Sequence, residues 1–438
     1  MTVSASYGRF GSGQAVRRNR GPAADHRGRP VPPTITAWPT RPISCSCARR
    51  TRTPKIVAID AAAARAMPGV LAVITGDDLR QGRLKSFGVE LPFRRPDGSP
   101  LASPPRPMLA VGTVRFAGEA IAAVIADSVD DARDAAEAIE VEYDTLPAVV
   151  ELGSAAAEGS PQIWPAATGN VVAQARYGDA AVAQAAFDKA AHVVSLDLGQ
   201  SAAGAGLDGA TQRARRLRRR DRPHHLAVEH PDAVERARRA GRRGSSAFRA
   251  RKVRVLVGDV GGGFGMKTGL YSEEAVTAFA SRALKRPVKW AAERIDDFLS
   301  ATHGRDTEST VELALDVDGK VLALRVRTLA NMGAYPGNAG VAIQLLIGPW
   351  VSTSIYDITT VDFEFTALLT NTTPTGPYRG AGRPEAIYII ERLMDTAARK
   401  MGLDPAELRR RNHDQARADA LPRTRWARSM TAASSRRC

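Results

Sequence analysis

Regular hydrophobic patterning begins near position 55 and predicts alternating strands and helices. The pattern indicates a strand over residues 55–60, a short alanine-rich helix that ends at Pro68-Gly69, and a second strand over residues 70–75. The spacing of these elements is typical of a compact α/β unit.

A strand, a helix and a further strand follow one another closely in the next stretch. Residues 119–126 are apolar after Glu119 and predict a buried strand. Ser128 and Asp131 resemble a capping box that opens a helix over 129–138, and residues 139–143 return as a strand. This order predicts a βαβ-like unit, although the alanine-rich faces leave open which strands pair.

Two segments of this region lack a helix or strand pattern. The proline-rich residues 92–107 predict a loop. Residues 155–165 are small and flanked by proline, which predicts a linker into a second domain.

A glycine-rich loop lies in the second domain, at Gly261-Gly262-Gly263-Phe264-Gly265. A β-branched strand over residues 253–260 runs into it, and a helix over about 272–284 follows. Its backbone N–H groups could approach an anion closely, or the glycines could simply form a tight turn that needs positive φ. The loop lacks the Gly-Lys-Ser/Thr of a Walker loop and the ribose-binding acid of a Rossmann fingerprint.

Downstream, residues 309–315 and 321–328 alternate between polar and apolar positions around Asp318-Gly319, which predicts a β-hairpin. Residues 376–386 then place small residues around Arg379 and Arg383, directly before a helix. Those arginines could form surface ion pairs, or they could capture a phosphate or other oxyanion at the helix entrance.

The helix after this loop has clear start and stop signals. Pro384 suits its first position, Gly402 closes it, and residues 404–407 open another helix with a capping pattern. The residues predicted to share its buried face are Ile387, Ile390, Leu393, Met394 and Ala397.

Composition is ordinary for a globular protein: the 438 residues are 44% hydrophobic and 25% charged. No apolar run long enough for a membrane span and no secretory h-region is present, so we expect a cytoplasmic protein without membrane contact. Cys45, Cys47 and Cys438 supply neither a disulfide framework nor a metal-ligand set.

The formal charge of +16 is concentrated in three segments, residues 17–54, 200–251 and 413–438. They contain arginine without apolar periodicity or interleaved aromatic residues. Three interpretations fit them: a solvated charge run, an arginine-rich arm that folds on RNA, or translation out of frame. A nucleic-acid-binding protein is therefore the alternative function.

Two motifs stand out together, Asp259 to Gly265 and Tyr378 to Ala386, and they are accompanied by Glu391-Arg392-Leu393-Met394-Asp395 and Leu408 to Asn412. This combination resembles the molybdenum-cofactor subunit of the xanthine dehydrogenase and aldehyde oxidase family. The resemblance is greatest to large chains of second-type carbon monoxide dehydrogenases. It implies a mixed α+β and α/β fold, with an a/b hammerhead domain over 55–152 and the first part of a molybdopterin-binding domain over 166–412.

The family resemblance also implies which residues contact the molybdopterin. They are Gly262, Gly263, Phe264, Gly265, Arg379, Gly380, Ala381 and Gly382. Phe264 would form a wall of the substrate channel. Gly380 stands where carbon monoxide dehydrogenases have a copper-binding cysteine, so carbon monoxide is not the expected substrate.

The implied reaction is oxidative hydroxylation of an aldehyde or an N-heterocycle. The resemblance implies a molybdopterin cofactor in its cytosine dinucleotide form, held by this chain. It also implies that electrons pass to an iron–sulfur small subunit with 2Fe-2S clusters and to an FAD-binding medium subunit. The small-molecule substrate is not specified by the sequence, and no nucleic-acid partner is implied.

The sequence also departs from the family. The family has a Ser-Thr-Gln-Thr-Pro stretch and a second molybdopterin-binding half with the catalytic Glu, and the printed sequence matches neither. GC-rich back-translation of residues 44–54 and 228–233, read one base over, spells family-like peptides. We therefore expect residues 1–54 to be disordered or out of frame and 200–251 to be out of frame. We also expect 413–438 to be irregular and the chain to be truncated and inactive as printed.

No residue of the printed sequence is identified as the catalytic base. Glu273 and Glu274 follow the glycine-rich loop, but both fall in the first turn of the helix predicted over about 272–284. Acidic residues at that position ordinarily stabilise the helix dipole.

Overall fold

Two five-stranded β-sheets with packed helices organise the described part of the protein. The computed structural model describes residues 35–37, 52–82, 84, 86–203, 212–215, 224–227, 253–256, 262–292 and 294–413. The predictions for most of the three arginine-rich segments therefore lie outside the described residues, as do Asp259, Val260 and Gly261 of the first motif.

The strands of the described chain are β1 Ile35–Ala37, β2 Arg52–Asp60, β3 Val70–Thr75, β4 Ala122–Ala126, β5 Glu140–Pro147, β6 Val171–Gly178, β7 His192–Ala203, β8 Gln212–Arg215, β9 His224–Ala227, β10 Val253–Leu256, β11 Val288–Ala291, β12 Gly304–Leu315, β13 Val321–Asn331 and β14 Val361–Leu368. The α-helices are α1 Ala62–Ala66, α2 Gly76–Gln81, α3 Val129–Glu137, α4 Leu152–Ala156, α5 Ala180–Asp188, α6 Ser272–Leu284, α7 Arg294–Leu299, α8 Asn338–Ala342, α9 Gly348–Trp350, α10 Arg383–Met401 and α11 Pro405–Asn412. A π-helix, Ile343–Ile347, joins α8 to α9.

The first sheet has the strand order β3-β4-β1-β11-β8. Strand β4 is buried on both faces, and its alternate residues contact different helices. Val124 packs into a cluster with Ala64 of α1 and Ala132 of α3, whereas Ile125 packs with Val276 of α6. Helix α6 is therefore anchored on this sheet.

The βαβ-like unit predicted over residues 119–143 is wrong. Strand β4 pairs antiparallel with β3, whereas β5 pairs antiparallel with β2 in a separate two-stranded sheet. The two strands differ in burial, since β4 is wholly buried and β5 is largely exposed. The strands and the connecting helix are present, but partners distant in sequence decide the pairing.

The linker predicted over residues 155–165 is also wrong. Ala155 lies within α4 and is fully buried, and Ile163 packs into the largest hydrophobic core. The buried Asn170 side chain accepts a hydrogen bond from the Ile163 amide and donates to the carbonyls of Ala155 and Pro161. The small residues allow close packing, which a composition-based prediction of a linker does not consider.

The second sheet has the strand order β6-β14-β13-β12-β7. The predicted hairpin is confirmed, since β12 and β13 pair antiparallel around Asp318-Gly319. One face of the sheet packs against α10, where Leu313 and Leu324 lie in a core with Ile390 and Leu393. This packing fixes the beginning of α10 at one end of the sheet.

Helix α10 confirms most of the predicted pattern. Gly402 ends it with a left-handed φ of 67°, and Asp404 caps α11 by accepting a hydrogen bond from the Glu407 amide at 3.0 Å. Ile387 was expected on the buried face but is 43% exposed, and Ile389 is buried instead. None of the described helices combines the length and the hydrophobicity that crossing a membrane requires.

Candidate functional site

The first glycine loop, defined here as residues 262–265, has a backbone that ordinary residues rarely adopt. The φ angles of Gly262, Phe264 and Gly265 are 137°, 45° and 89°. A Cβ atom on Gly262 would lie 2.5 Å from the Phe264 ring, so the ring folds back over that glycine. Phe264 is nevertheless 49% exposed, which leaves an aromatic face open beside the loop.

Helix α6 follows this loop at the predicted position. Glu274 caps it by accepting a hydrogen bond from the Tyr271 amide at 2.8 Å, which confirms a structural role for that acid. Lys267, next to the loop, is buried and pairs with Asp297 of α7 at 3.1 Å. These contacts hold the first glycine loop against α6 and α7.

The second glycine loop, residues 379–382, enters α10 through three consecutive positive φ angles. Gly380, Ala381 and Gly382 have φ values of 96°, 48° and 86°. A Cβ on Gly380 would lie 2.4 Å from Cγ of Pro384, and one on Gly382 would lie 2.9 Å from the Gly348 amide nitrogen. The glycines at these two positions are thus required by close packing as well as by backbone conformation.

The structure brings the two glycine loops together. A Cβ on Gly265 would lie 2.9 Å from the carbonyl carbon and oxygen of Pro377. Met266 and Tyr378, which follow and precede the loops, pack into one cluster with Tyr271 and Ala301. Two motifs more than 100 residues apart in sequence therefore form a single surface.

Residues at and just before the start of β12 contact the segment that leads into the second glycine loop. The His303 amide donates to the Pro374 carbonyl at 3.1 Å, and the Gly376 amide donates to the His303 carbonyl at 2.7 Å. Gly304 leaves room for Tyr378, whose Cβ would lie 2.2 Å from a Cβ at position 304.

Arg305, the next residue of β12, contacts the second loop directly. Its guanidinium lies 4.5 Å from the centroid of the Tyr378 ring, and its Nη2 donates to the Arg379 carbonyl at 3.2 Å. Its Nη1 is buried and has no hydrogen-bond acceptor among the residues that the structure describes.

Asn331 of β13 connects the neighbouring strands behind the loops. Its amide nitrogen donates to Asp306 Oδ2 at 2.7 Å, and its Oδ1 accepts from the Gly333 amide and the Thr370 hydroxyl. Its carbonyl accepts from the Thr375 hydroxyl at 2.6 Å, next to the second loop. Burial raises the pKa of Asp306, and the hydrogen bond from Asn331 opposes this effect.

The two arginines predicted around the second loop behave differently. Arg379 is exposed, whereas Arg383 begins α10 and its Nη1 donates to the Gly380 carbonyl at 3.3 Å. Within the described ranges neither forms an ion pair with a carboxylate. The surface ion-pair interpretation is therefore not observed for either residue.

Both loops present backbone N–H groups without acceptors. Across the described part of the chain, no acceptor meets the amides of Gly263, Phe264 and Gly265 or those of Arg379 and Gly380. Such amides suit phosphate and other anionic oxygens. The same described ranges contain no cluster of His, Cys, Asp or Glu that could hold a metal ion by itself.

Sequence reasoning missed Arg305, Asn331 and Gly304. Their signals are weak, because a polar residue in a strand ordinarily faces solvent, and the partners lie about 40 to 75 residues away. Only the side-by-side placement of the strands identifies these residues as supports of the loops.

The first domain and the region that carries the two glycine loops each match a family model. Residues 51–147 match the aldehyde oxidase and xanthine dehydrogenase a/b hammerhead domain, and residues 245–413 match the molybdopterin cofactor-binding domain. The chain belongs to the xanthine dehydrogenase and aldehyde oxidase family of molybdopterin-binding oxidoreductases. Neither domain is a nucleic-acid-binding domain, so the arginine-rich alternative has no support.

Individual relatives agree with this family. The 6-hydroxypseudooxynicotine dehydrogenase complex subunit gamma of Paenarthrobacter nicotinovorans is 31% identical, over 82% of this chain and 44% of its own length. The carbon monoxide dehydrogenase large chain of Hydrogenophaga pseudoflava is also 31% identical, over 80% of this chain and 44% of its own length. The chain thus spans about half the length of these curated relatives.

A solved structure shows the same architecture. Quinoline 2-oxidoreductase from Pseudomonas putida 86 superposes with a TM-score of 0.78 and 30% identity, covering 92% of this chain and 51% of that one. The predicted mixed fold, with a hammerhead domain followed by a molybdopterin-binding domain, is confirmed.

Proposed function

We propose that this chain holds the pyranopterin and phosphate of a molybdenum cofactor against the first and second glycine loops. The observation that carries the proposal is the contact between Gly265 and Pro377, which brings together two loops whose backbone amides have no acceptor among the described residues. An anionic ligand there would accept hydrogen bonds that the described chain leaves unused. The contacts run through Gly262, Gly263, Phe264, Gly265, Arg379, Gly380, Ala381 and Gly382.

Side chains complete the proposed cradle. The exposed Arg379 has no carboxylate partner among the described residues and would pair with the phosphate. The open aromatic face of Phe264 would line the approach of an apolar substrate. Gly380 contributes no thiol, so copper has no ligand at that position.

We propose oxidative hydroxylation of an aldehyde or an N-heterocycle as the reaction of the assembled protein. When bound, the molybdenum cofactor supplies the oxygen-transfer and two-electron chemistry. The residues of this chain bind and orient the cofactor, and none of them is assigned as the catalytic base. The cytosine dinucleotide form of the cofactor and the partners, an iron–sulfur subunit and an FAD-binding subunit, belong to the same proposal.

The proposed domains follow the family pattern. The hammerhead domain would cover residues 55–152 and the first part of the molybdopterin-binding domain would cover residues 166–412. Since β4 packs on α6, which follows the first glycine loop, the first domain would stabilise the cradle of the second.

The test is to purify the chain from a host that makes the cofactor and to measure bound molybdenum and pterin. Elemental analysis gives the metal, and the fluorescence of the oxidised pterin gives the organic part. We expect close to one of each per folded chain. A folded chain that carries neither contradicts the proposal.

A further inference from the structure

The strand that supports the second glycine loop begins with two strained residues. Arg305 and Asp306 have φ angles of 62° and 67°, in the left-handed region, although neither is glycine. Strand β12 nevertheless keeps its register with β7, since Arg305 pairs with Ala202 and Thr307 pairs with Gln200. The surrounding sheet therefore holds this backbone in place.

The two strained residues send their side chains to different partners. Asp306 accepts a hydrogen bond from the buried Asn331, whereas Arg305 lies over the Tyr378 ring and donates to the Arg379 carbonyl. The first contact ties the strained segment to the sheet interior, and the second fixes the peptide that begins the second glycine loop. The strain therefore accompanies a side chain that is aimed at the proposed cofactor site.

The guanidinium of Arg305 still has an unused donor. Its Nη1 is buried and has no acceptor in the described chain, and no carboxylate there forms an ion pair with it. A buried N–H without an acceptor is unfavourable, and guanidinium groups bind oxyanions well.

A second stacked arginine shows what a purely structural site looks like. Arg325 of β13 lies 4.3 Å from the centroid of the Phe187 ring, and its donors are taken by Glu312, Asp362 and Gln184. Arg305 has the same stacking arrangement but lacks the carboxylates.

We propose that Arg305 is a further cofactor-anchoring residue, which orients the Arg379 peptide and offers Nη1 to an oxygen of the bound anionic cofactor. This inference rests on the proposed function. It adds to the cradle a residue outside both glycine loops. It also gives a reason why an arginine with a strained backbone and an unused buried donor contacts the second glycine loop.

The experiment compares wild type, Arg305→Met, Arg305→Lys and the control Arg325→Lys, all purified from a host that makes the cofactor. Pterin fluorescence per folded chain gives occupancy, and its decay during dialysis gives the dissociation rate. We expect Arg305→Met to lose at least tenfold in occupancy. Arg305→Lys keeps a charge near the site without the planar fork, so it should fold and release pterin several-fold faster than wild type.

The control separates anchoring from stability. Arg325→Lys should lower the urea midpoint while leaving pterin occupancy per folded chain unchanged. If wild type carries pterin and both Arg305 variants retain it as well as wild type does, the inference is wrong and the proposed function stands. If folded wild type carries no pterin, the proposed function fails and this inference fails with it.

Discussion

Gly265 lies against the backbone of Pro377, so closely that a Cβ atom on the glycine would lie 2.9 Å from the proline carbonyl. This contact joins two loops that come from distant parts of the sequence. The φ of 89° at Gly265 adds a second reason why no other residue fits.

Gly265→Ala is expected to destabilise the protein by about 2–4 kcal/mol, because it combines backbone strain with a backbone clash. Gly98→Ala is the matched control, since Gly98 has a similar φ of 80° and nothing within 4 Å of a Cβ. Gly98→Ala should lower the free energy of unfolding by only about 1 kcal/mol. Urea unfolding measures both, and equal losses would contradict the loop contact.

Asn331→Asp is expected to destabilise the protein by about 2–4 kcal/mol at neutral pH. The new carboxylate cannot donate to Asp306, whose Oδ2 lies 2.7 Å from the present amide nitrogen. Repulsion between the two adjacent carboxylates raises the pKa of the pair further. The stability of the variant should therefore return as the pH falls and be lost as the pH rises.

The measurement for Asn331→Asp is the urea midpoint at pH 5 and pH 8. Asn338→Asp is the control, because among the described residues the Asn338 side chain bonds only backbone groups of Gly88 and Glu90 near the surface. It should change stability by less than about 1 kcal/mol. A loss for Asn331→Asp that is the same at both pH values would contradict the carboxylate pairing.

Glu119 should make stability depend on pH in the opposite sense to an ordinary paired carboxylate. Burial raises the pKa of its carboxyl, and the hydrogen bonds from the Tyr335 hydroxyl and the Arg115 amide offset this only in part. The folded state therefore favours the neutral form. The neutral Glu119 carboxyl therefore stabilises the folded state below the unfolded-state pKa, and this stabilisation is lost as the pH rises through the folded-state pKa.

The expected result is that wild type loses stability relative to Glu119→Gln as the pH rises above about 4.3, the ordinary pKa of a glutamate. The glutamine variant keeps the shape of the neutral side chain, so the difference between the two urea midpoints isolates the ionisation. A difference that stays constant, or that moves in favour of wild type as the pH rises, would show that the carboxyl is not held neutral.

Asp362 should behave as a carboxylate that the fold needs in its charged form. Burial alone would raise its pKa, but the hydrogen bonds and charges of Arg327 and Arg325 lower it overall. The contribution of ionised Asp362 to the stability of the fold is therefore present above the unfolded-state pKa and lost as the pH falls through the folded-state pKa.

Asp362→Asn is expected to cost about 2–3 kcal/mol at pH 7 and less at acidic pH, because two charge-assisted hydrogen bonds are lost. Glu312→Gln serves as the comparison, since Glu312 pairs only with Arg325 of the two arginines and is more exposed than Asp362. Glu312→Gln should lower the free energy of unfolding by less than Asp362→Asn does. Urea unfolding at pH 7 and pH 4 checks both values.

Local signals in the sequence predicted the elements that enter the site. Gly402 stops α10 through a left-handed conformation, and Asp318-Gly319 closes the β12–β13 hairpin, so each element is specified within a few residues. The two glycine loops were visible for the same reason, as dense groups of small residues beside helix starts. Their contribution to cofactor binding stays a prediction.

Pairings between distant segments could not be predicted in this way. Strand β2 pairs with β5 some 80 residues later, and the alanine-rich β4 carries no side-chain pattern that distinguishes β3 from β5 as its partner. Arg305 was missed because its contact with Arg379 depends on how β12 and the second loop are placed by the sheet. Such contacts depend on topology and not on local composition.

The strand order of the second sheet has a consequence for how the chain is made. Its edge strands, β6 and β7, are synthesised first, while β14, the only partner of β6 within the described sheet, follows after about 180 residues. Strand β6 thus leaves the ribosome long before its partner exists, and an unpaired strand is prone to aggregate. Production of this protein is therefore expected to depend on chaperones that protect nascent chains until residue 368 has emerged.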